Sequence, residues 1–390
     1  MIYFDHNATA PLDPVARAAW LEAQEQSWFN PSSPYRSAAR VRNRLNAARE
    51  QLASWIRQPA DRVCFCSGAT EANNTVFASV GRVLDQDARI AISPLEHPSV
   101  TEPARRTFGP RCLLLPMRAD GLLDLEAFPA WLEKHRPALV SLQAANNEVG
   151  LIQPLRECAD LCRERGIWVH CDAVQWAGRY SLESLPGVDA LTISGHKFGA
   201  PKGVGVLVVN PALSPGLLWG GGQEDGRRSG TENYPAIAAM MAVLEKFQSM
   251  KLTDVQRSGP QAVIAAARSL WGDRFRCPAR DAGAPLLWNT LALTPPRHAA
   301  HRWIHQFERR GFLISSGAAC STAAQKASST LKLLGLSDSE AARTIRMSAG
   351  WQTTAADWQG LAQALADCWQ ALEKDAEADA EGPGTVIEID

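Results

Sequence analysis

Ser194-Gly195-His196-Lys197-Phe198-Gly199-Ala200-Pro201-Lys202-Gly203-Val204-Gly205 lies between two apolar runs. Asp189-Ala190-Leu191-Thr192-Ile193 leads into it, and Val204 to Val209 leads out. A lysine at the end of a buried strand is partly desolvated and loses its proton more readily. It can then form a Schiff base with an aldehyde cofactor. Ser194, the Gly195 backbone and His196 can hold a phosphate beside it. Taken alone, a His-Lys pair in a glycine-rich turn is more often a solvated turn. The stretches on either side change that balance.

Working outward, strand-like and helix-like segments alternate. Arg62 to Cys66, Arg89 to Ile92, Arg111 to Leu115, Ala138 to Leu142 and Ile167 to Cys171 read as strands. Between them, Thr70 onward, Leu125 to His135 (interrupted by Pro129) and Pro154 to Arg165 read as helices. This order predicts an α/β fold: a mostly parallel sheet with helices on both faces. Thr70, His97, Asn147, Asp172 and Lys197 each follow an apolar strand within a few residues. Ligands of open α/β sheets bind outside the carboxyl ends of the strands, so a shared position of this kind predicts one cleft. Ser67-Gly68-Ala69-Thr70-Glu71 opens a helix with small hydroxyl residues, a seat for phosphate at a helix N-terminus. No G-x-G-x-x-G follows the first strand and no G-x-x-x-x-G-K-[ST] occurs, which argues against a nucleotide fold.

Upstream, Ile2 to Phe4 reads as a short strand, followed by a helix from about Pro14 and an amphipathic helix from Arg36 carrying Val41, Leu45, Ala48, Leu52 and Trp55. Downstream, Gly220 to Asn233 reads as an exposed loop able to touch phosphate through Arg or Thr. From about residue 250 the pattern changes to α+β: helices Val255 to Trp271, His301 to Arg310 and Asp357 to Glu373, with strands at Leu286 to Leu293, Phe312 to Ser315 and Thr344 to Ser348. Ser315 to Ala324 places Cys320 in a run of small residues that cannot bury much, so its thiol is expected to be accessible and the segment mobile. Arg346 can grip a carboxylate with its two-pronged head, although arginines on strands are more often at the surface. Residues 375–390 carry six acidic side chains and no basic ones, which predicts a mobile tail.

Composition narrows the function. Hydrophobic residues make up 46% of the 390 and charged residues 21%, as in ordinary globular proteins, and the length favours two subdomains. A formal net charge of -1 offers nothing to nucleic acid or an anionic membrane surface. No apolar run approaches the roughly 20 residues of a membrane span. Nine scattered cysteines and an N-terminus unlike a signal peptide fit free thiols in a reducing cytoplasm.

SGATEANN, EHPSV, NNEVG, HCDAVQ, SGHKFGAPKGVG, GGGQEDGRRSGTEN, SSGAAC and RTIRMS stand in the order expected of cysteine desulfurases, pyridoxal-phosphate enzymes among the class V aminotransferases. The chain resembles them from about Ile2 to about Cys368. The resemblance implies the aspartate-aminotransferase-like type I fold, with a seven-stranded sheet in a large domain (13–250), a small α+β domain (1–12 and 251–374) and the tail. It implies a homodimer using pyridoxal 5'-phosphate to convert L-cysteine to L-alanine. Lys197 would anchor the cofactor and remove the substrate's α-proton. Asp172 would pair with the ring nitrogen, Gln175 with the phenolic oxygen, and His97 would stack on the ring and help move protons. Ala69, Thr70, Ser194 and His196 would hold the phosphate, and Thr231 would reach the phosphate in the partner subunit. Asn147 and Arg346 would bind the substrate carboxylate. Cys320 would take the sulfur as a persulfide for a protein acceptor in iron–sulfur assembly, tRNA thiolation or a related route.

The long segment between Cys320 and Arg346 resembles the subgroup with a long catalytic loop. Gly317-Ala318-Ala319 replaces the usual Gly-Ser-Ala before the cysteine, Tyr35 stands where histidine is common, and Ala324-Gln325-Lys326-Ala327 lacks the usual acidic-proline element. These departures bear on which acceptor docks. Selenocysteine lyase and other class V pyridoxal-phosphate enzymes are the alternatives on the same fold, and an inactive scaffold is disfavoured by the intact Lys197, His97, Asp172, Gln175 and Cys320.

Overall fold

The short apolar runs become twelve strands in a computed structural model that describes residues 1–213, 216–317 and 328–381. Seven of them form one sheet in the order β2-β8-β7-β6-β5-β3-β4. These are β2 (Val63–Cys66), β3 (Ile90–Ile92), β4 (Cys112–Leu114), β5 (Leu139–Ser141), β6 (Trp168–Asp172), β7 (Ala190–Ser194) and β8 (Gly205–Val209). The pairs β3–β4, β3–β5, β5–β6 and β6–β7 are parallel, whereas β8 runs antiparallel to both β7 and β2. Six strands therefore point one way and β8 the other. The lysine stretch, residues 195–204, is too short to carry the chain back for a parallel return, which takes a dozen or more residues.

Alternation along each strand feeds two cores. Val63 and Phe65 face one side and Cys64 and Cys66 the other; Ala91 and Ile90/Ile92 divide in the same way. On the first side lie Leu45, Leu52 and Ile56 of helix Arg36–Ile56 with Ile237, Met240 and Leu244 of helix Tyr234–Gln248. On the second lie Val76, Phe77 and Val80 of helix Ala69–Val83 with Val100, Ala104 and Phe108 of helix Pro98–Phe108. A sheet covered on both faces exposes its functional groups only at the strand ends.

A separate core holds Phe4, Trp271, Trp303, Phe307, Met347, Trp358 and Leu365. Here β1 (Ile2–Tyr3) pairs in parallel with β10 (Phe312–Leu313), and β12 (Ile345–Ser348) lies between β9 (Thr290–Leu293) and β11 (Ser315–Ser316). Helices Asp254–Trp271 and Ala355–Glu381 pack closely, since a Cβ at Gly259 would sit 2.3 Å from Trp358 Nε1.

Three expectations are corrected. Pro129 lies in the first turn of helix Phe128–His135, where its missing N–H costs nothing, so it starts the helix rather than interrupting it. The run Phe312 to Ser315 divides between two sheets. The last helix, read as ending at Glu373, continues to Glu381. Alternating Ala and Glu are strong helix formers, and Asp375 is held by Gln306 at 3.5 Å and Arg302 at 3.9 Å.

Candidate active site

The polar residues that follow the strands converge on one cavity of about 590 Å³. The β2 end delivers Gly68, whose φ of 151° lies in a region that suits glycine. The start of β8 crosses so near that a Cβ on Gly205 would lie 2.6 Å from Gly68 Cα. This close pass sets the N-terminus of helix Ala69–Val83 against the cavity, with Ala69 and Thr70 on its wall. His97 enters after β3, Asn147 after β5, Asp172 and Gln175 from the end of β6, and Ser194, His196 and Lys197 from the end of β7. Nine of the twelve sequence-predicted site residues thus share one wall.

The other three stand elsewhere. Arg346 is 1% exposed on β12, behind the cavity wall. Its Nη2 meets Asp5 Oδ1 at 2.6 Å and its Nη1 donates to the Asn147 carbonyl at 3.0 Å. The arginine is therefore held in place by a carboxylate and buried, not displayed on a surface strand. Thr231 lines a neighbouring cavity of about 200 Å³ with Arg228 and Glu224; Ser67 and Gly203 border both cavities. Cys320 lies outside the described residues.

Local chemistry suits an aldehyde cofactor with a phosphate and a ring. Lys197 Nζ donates to the Asn7 and Ala8 carbonyls, each at 2.8 Å, which hold the amine on the cavity wall. Asp172 accepts from Asn73 Nδ2 at 2.9 Å and from the Val174 N–H at 3.0 Å, so both carboxylate oxygens are fixed. Gln175 Nε2 donates to the Asn7 carbonyl at 3.1 Å, while its Oε1 is buried with no hydrogen-bond partner. A phenolic hydroxyl is the kind of donor that this oxygen lacks. Burial and the Lys197 charge push the His196 imidazole down to about 4, so it is a neutral hydrogen-bonding group on the cavity wall.

Sequence reading did not assign the residues that support these. Asn73 stands one turn after Thr70 on the same helix, a spacing from which a second inward-facing polar residue was readable. Glu96 is buried next to His97 in sequence; burial and then the Asp172 charge push its carboxyl well above the usual range, and Ser141 Oγ donates to it at 3.3 Å. The same serine sits 2.9 Å from His170 Nδ1, whose ring burial lowers to about 4. Burial thus works against a charge on either Glu96 or His170 behind Asp172.

Glu148 adjoins Asn147 and takes a hydrogen bond from Ser328 Oγ. Burial raises its carboxyl to about 7, with Ser328 and Arg346 opposing the rise. A carboxyl raised in the folded state binds its proton more tightly there than in the unfolded chain. Its contribution is complete below about 4.5, the ordinary value, and fades as pH rises to about 7. Glu148→Gln is thus expected to remove a pH-dependent loss of about 3 kcal/mol. Denaturant midpoints of wild type and variant at pH 5 and pH 8 check this: the gap between the two proteins shifts in favour of the glutamine form at the higher pH.

Comparison with known proteins agrees with this geometry. The aminotransferase class-V family model matches residues 2–361. A cysteine desulfurase of Cereibacter sphaeroides is 33% identical over 377 residues, covering 93% of this chain and 94% of that protein. A NifS-like protein structure superposes with a TM-score of 0.83 at 26% identity, covering 96% of this chain and 99% of that one. SspA, solved in complex with cysteine, has a TM-score of 0.75 at 27% identity and covers 89% of this chain and 98% of its own. The class V aminotransferases and their cysteine desulfurases are pyridoxal-phosphate enzymes with the type I fold, and this chain belongs to that family.

Proposed function

We propose that the chain is a cysteine desulfurase that uses pyridoxal 5'-phosphate to convert L-cysteine to L-alanine and retains the sulfur as a persulfide on Cys320. The convergence of nine expected residues on one cavity, with Lys197 and Asp172 on the same wall, carries this reading. Bound there, the cofactor supplies a sink for the electron pair left when the substrate's α-proton is removed. The N-terminus of helix Ala69–Val83, with Thr70, Ser194 and His196, would hold the phosphate. Asp172 would pair with the ring nitrogen, Gln175 with the phenolic oxygen, and His97 would stack on the ring. Lys197 would hold the cofactor aldehyde, and its Nζ would take the substrate's α-proton. Asn147 would take the substrate carboxylate, and Arg346 would join it by exchanging its Asp5 partner for that carboxylate.

The Cys320 thiolate attacks the substrate sulfur. The Cβ–S bond breaks and an S–S bond forms. The thiolate sulfur is oxidised to the persulfide level, while the substrate carbon keeps the electron pair, gains a proton and leaves in alanine. The enzyme works as a homodimer in the cytoplasm and delivers sulfur to a protein acceptor for iron–sulfur assembly or thiolation. Thr231 stands away from its own chain's main cavity, which suits a role at the partner's phosphate. The described cysteines are all free thiols, as a reducing compartment requires. Among the described residues no helix is long and apolar enough to cross a membrane.

Single-turnover mixing of the cofactor-loaded protein with L-cysteine tests the reading. One alanine per active site, together with a persulfide mass on the peptide containing Cys320, is the expected result. Alanine without that persulfide would remove Cys320 from the chemistry, and neither product would reject the desulfurase assignment.

A further inference from the structure

Along the cavity wall a continuous hydrogen-bonded chain joins His97 to Asp172. Asn73 Nδ2 donates to Asp172 Oδ2 at 2.9 Å and to Ser99 Oγ at 3.0 Å. Ser99 Oγ lies 2.8 Å from His97 Nδ1, and the Ser99 backbone N–H donates to that same nitrogen at 3.0 Å. His97 is thus the N-cap of helix Pro98–Phe108. All of the linking groups are buried.

The direction of each proton follows from the partners. A carboxylate accepts only, so the amide nitrogen of Asn73, not its oxygen, faces Asp172. The two hydrogens of that nitrogen serve Asp172 and Ser99. Ser99 Oγ accepts one of them and has its own hydrogen left for Nδ1. A backbone N–H always donates. Nδ1 is therefore an acceptor, and the neutral imidazole carries its hydrogen on Nε2.

We propose that Ser99 and Asn73 are positioning residues that hold His97 as the Nε2–H tautomer toward the cavity and tie that choice to the Asp172 carboxylate. The inference rests on the reading of His97 and Asp172 as the groups flanking the cofactor ring. Protonation of Nδ1 would require the Ser99 hydroxyl to turn while a backbone N–H still points at the new N–H. The chain thus opposes the imidazolium in the same direction as burial, which lowers the His97 titration; of the charged groups facing the ring, Asp172 raises it and Lys197 lowers it. His97 then offers the cavity a hydrogen-bond donor without a positive charge beside Lys197.

Nitrogen NMR of ¹⁵N-histidine-labelled, cofactor-loaded protein tests this, with the His97 signals identified by their loss in His97→Gln. The expected wild-type spectrum shows an unprotonated Nδ1 and a protonated Nε2 at neutral pH. Ser99→Ala and Asn73→Ala are each expected to move the His97 midpoint to higher pH, and Ser99→Thr to restore it. The double variant is expected to move it no further than the larger single effect, because both act through one chain. A protonated Nδ1 in wild type overturns the proposal, as does an unchanged midpoint in Ser99→Ala or additive single effects. Turnover of L-cysteine is read on the same samples. Protein that makes no alanine yet keeps the tautomer and its dependence on Ser99 sustains the link and rejects the desulfurase reading instead.

Discussion

Lys197→Ala protein will turn over L-cysteine slower than wild type by on the order of 10⁴-fold, the upper end of what one acid–base group supplies. The visible absorbance of a lysine-bound aldehyde will be missing from it. Two losses combine in this variant. The covalent anchor disappears, and so does the amine that takes the α-proton. The amine is held at the Asn7 and Ala8 carbonyls, at 2.8 Å from each, so the variant removes a group fixed in position for both tasks. The fold should tolerate the change, because the lysine follows β7 rather than packing in its core. Steady-state alanine release and an absorbance spectrum measure both effects. Turnover within tenfold of wild type would show that Lys197 is neither anchor nor base.

Asp172→Asn is expected to lower turnover by on the order of 10²–10³-fold, the scale of removing one preorganised electrostatic group. It should also destabilise the protein by about 1–3 kcal/mol. The second effect follows from the donors around the carboxylate. One oxygen accepts from Asn73 Nδ2 and the other from the Val174 N–H, and both donors are buried. An amide presents one acceptor, so its NH₂ must face one of those two donors and leave it unsatisfied. Burial pushes the Glu96 carboxyl well above the usual range, which works against its replacing the lost charge. Kinetics at saturating cofactor and denaturant unfolding separate the two consequences. Normal turnover with lowered stability would make Asp172 structural only.

Much of the site was legible because its residues share one local feature. Thr70, His97, Asn147, Asp172 and Lys197 each follow a short apolar run, and alternation of β with α places such positions on one sheet edge. Helix Arg36–Ile56 and the strands on either side of the lysine were readable for the same reason: period and punctuation are written in adjacent residues. The reversal of β8 was implicit in the shortness of residues 195–204, but strand length and apolarity are alike in either direction.

What adjacent residues could not show is how distant ones meet. Asp5 and Arg346 form an ion pair across nearly the whole chain, because β1 pairs with β10 and β12 brings the guanidinium under Asn147. Asn73, Ser99 and Asp172 come from three elements and meet only once the helices lie on the sheet. Glu96, Glu148 and His170 look like ordinary polar residues in a string of letters, and burial, joined at Glu96 by the Asp172 charge, makes them unusual. The sequence by itself determined which residue types stand at the strand ends, since that depends on local periodicity. Only the tertiary structure decided which of them touch, which are desolvated and which hold a proton, because those depend on packing between segments far apart in the chain.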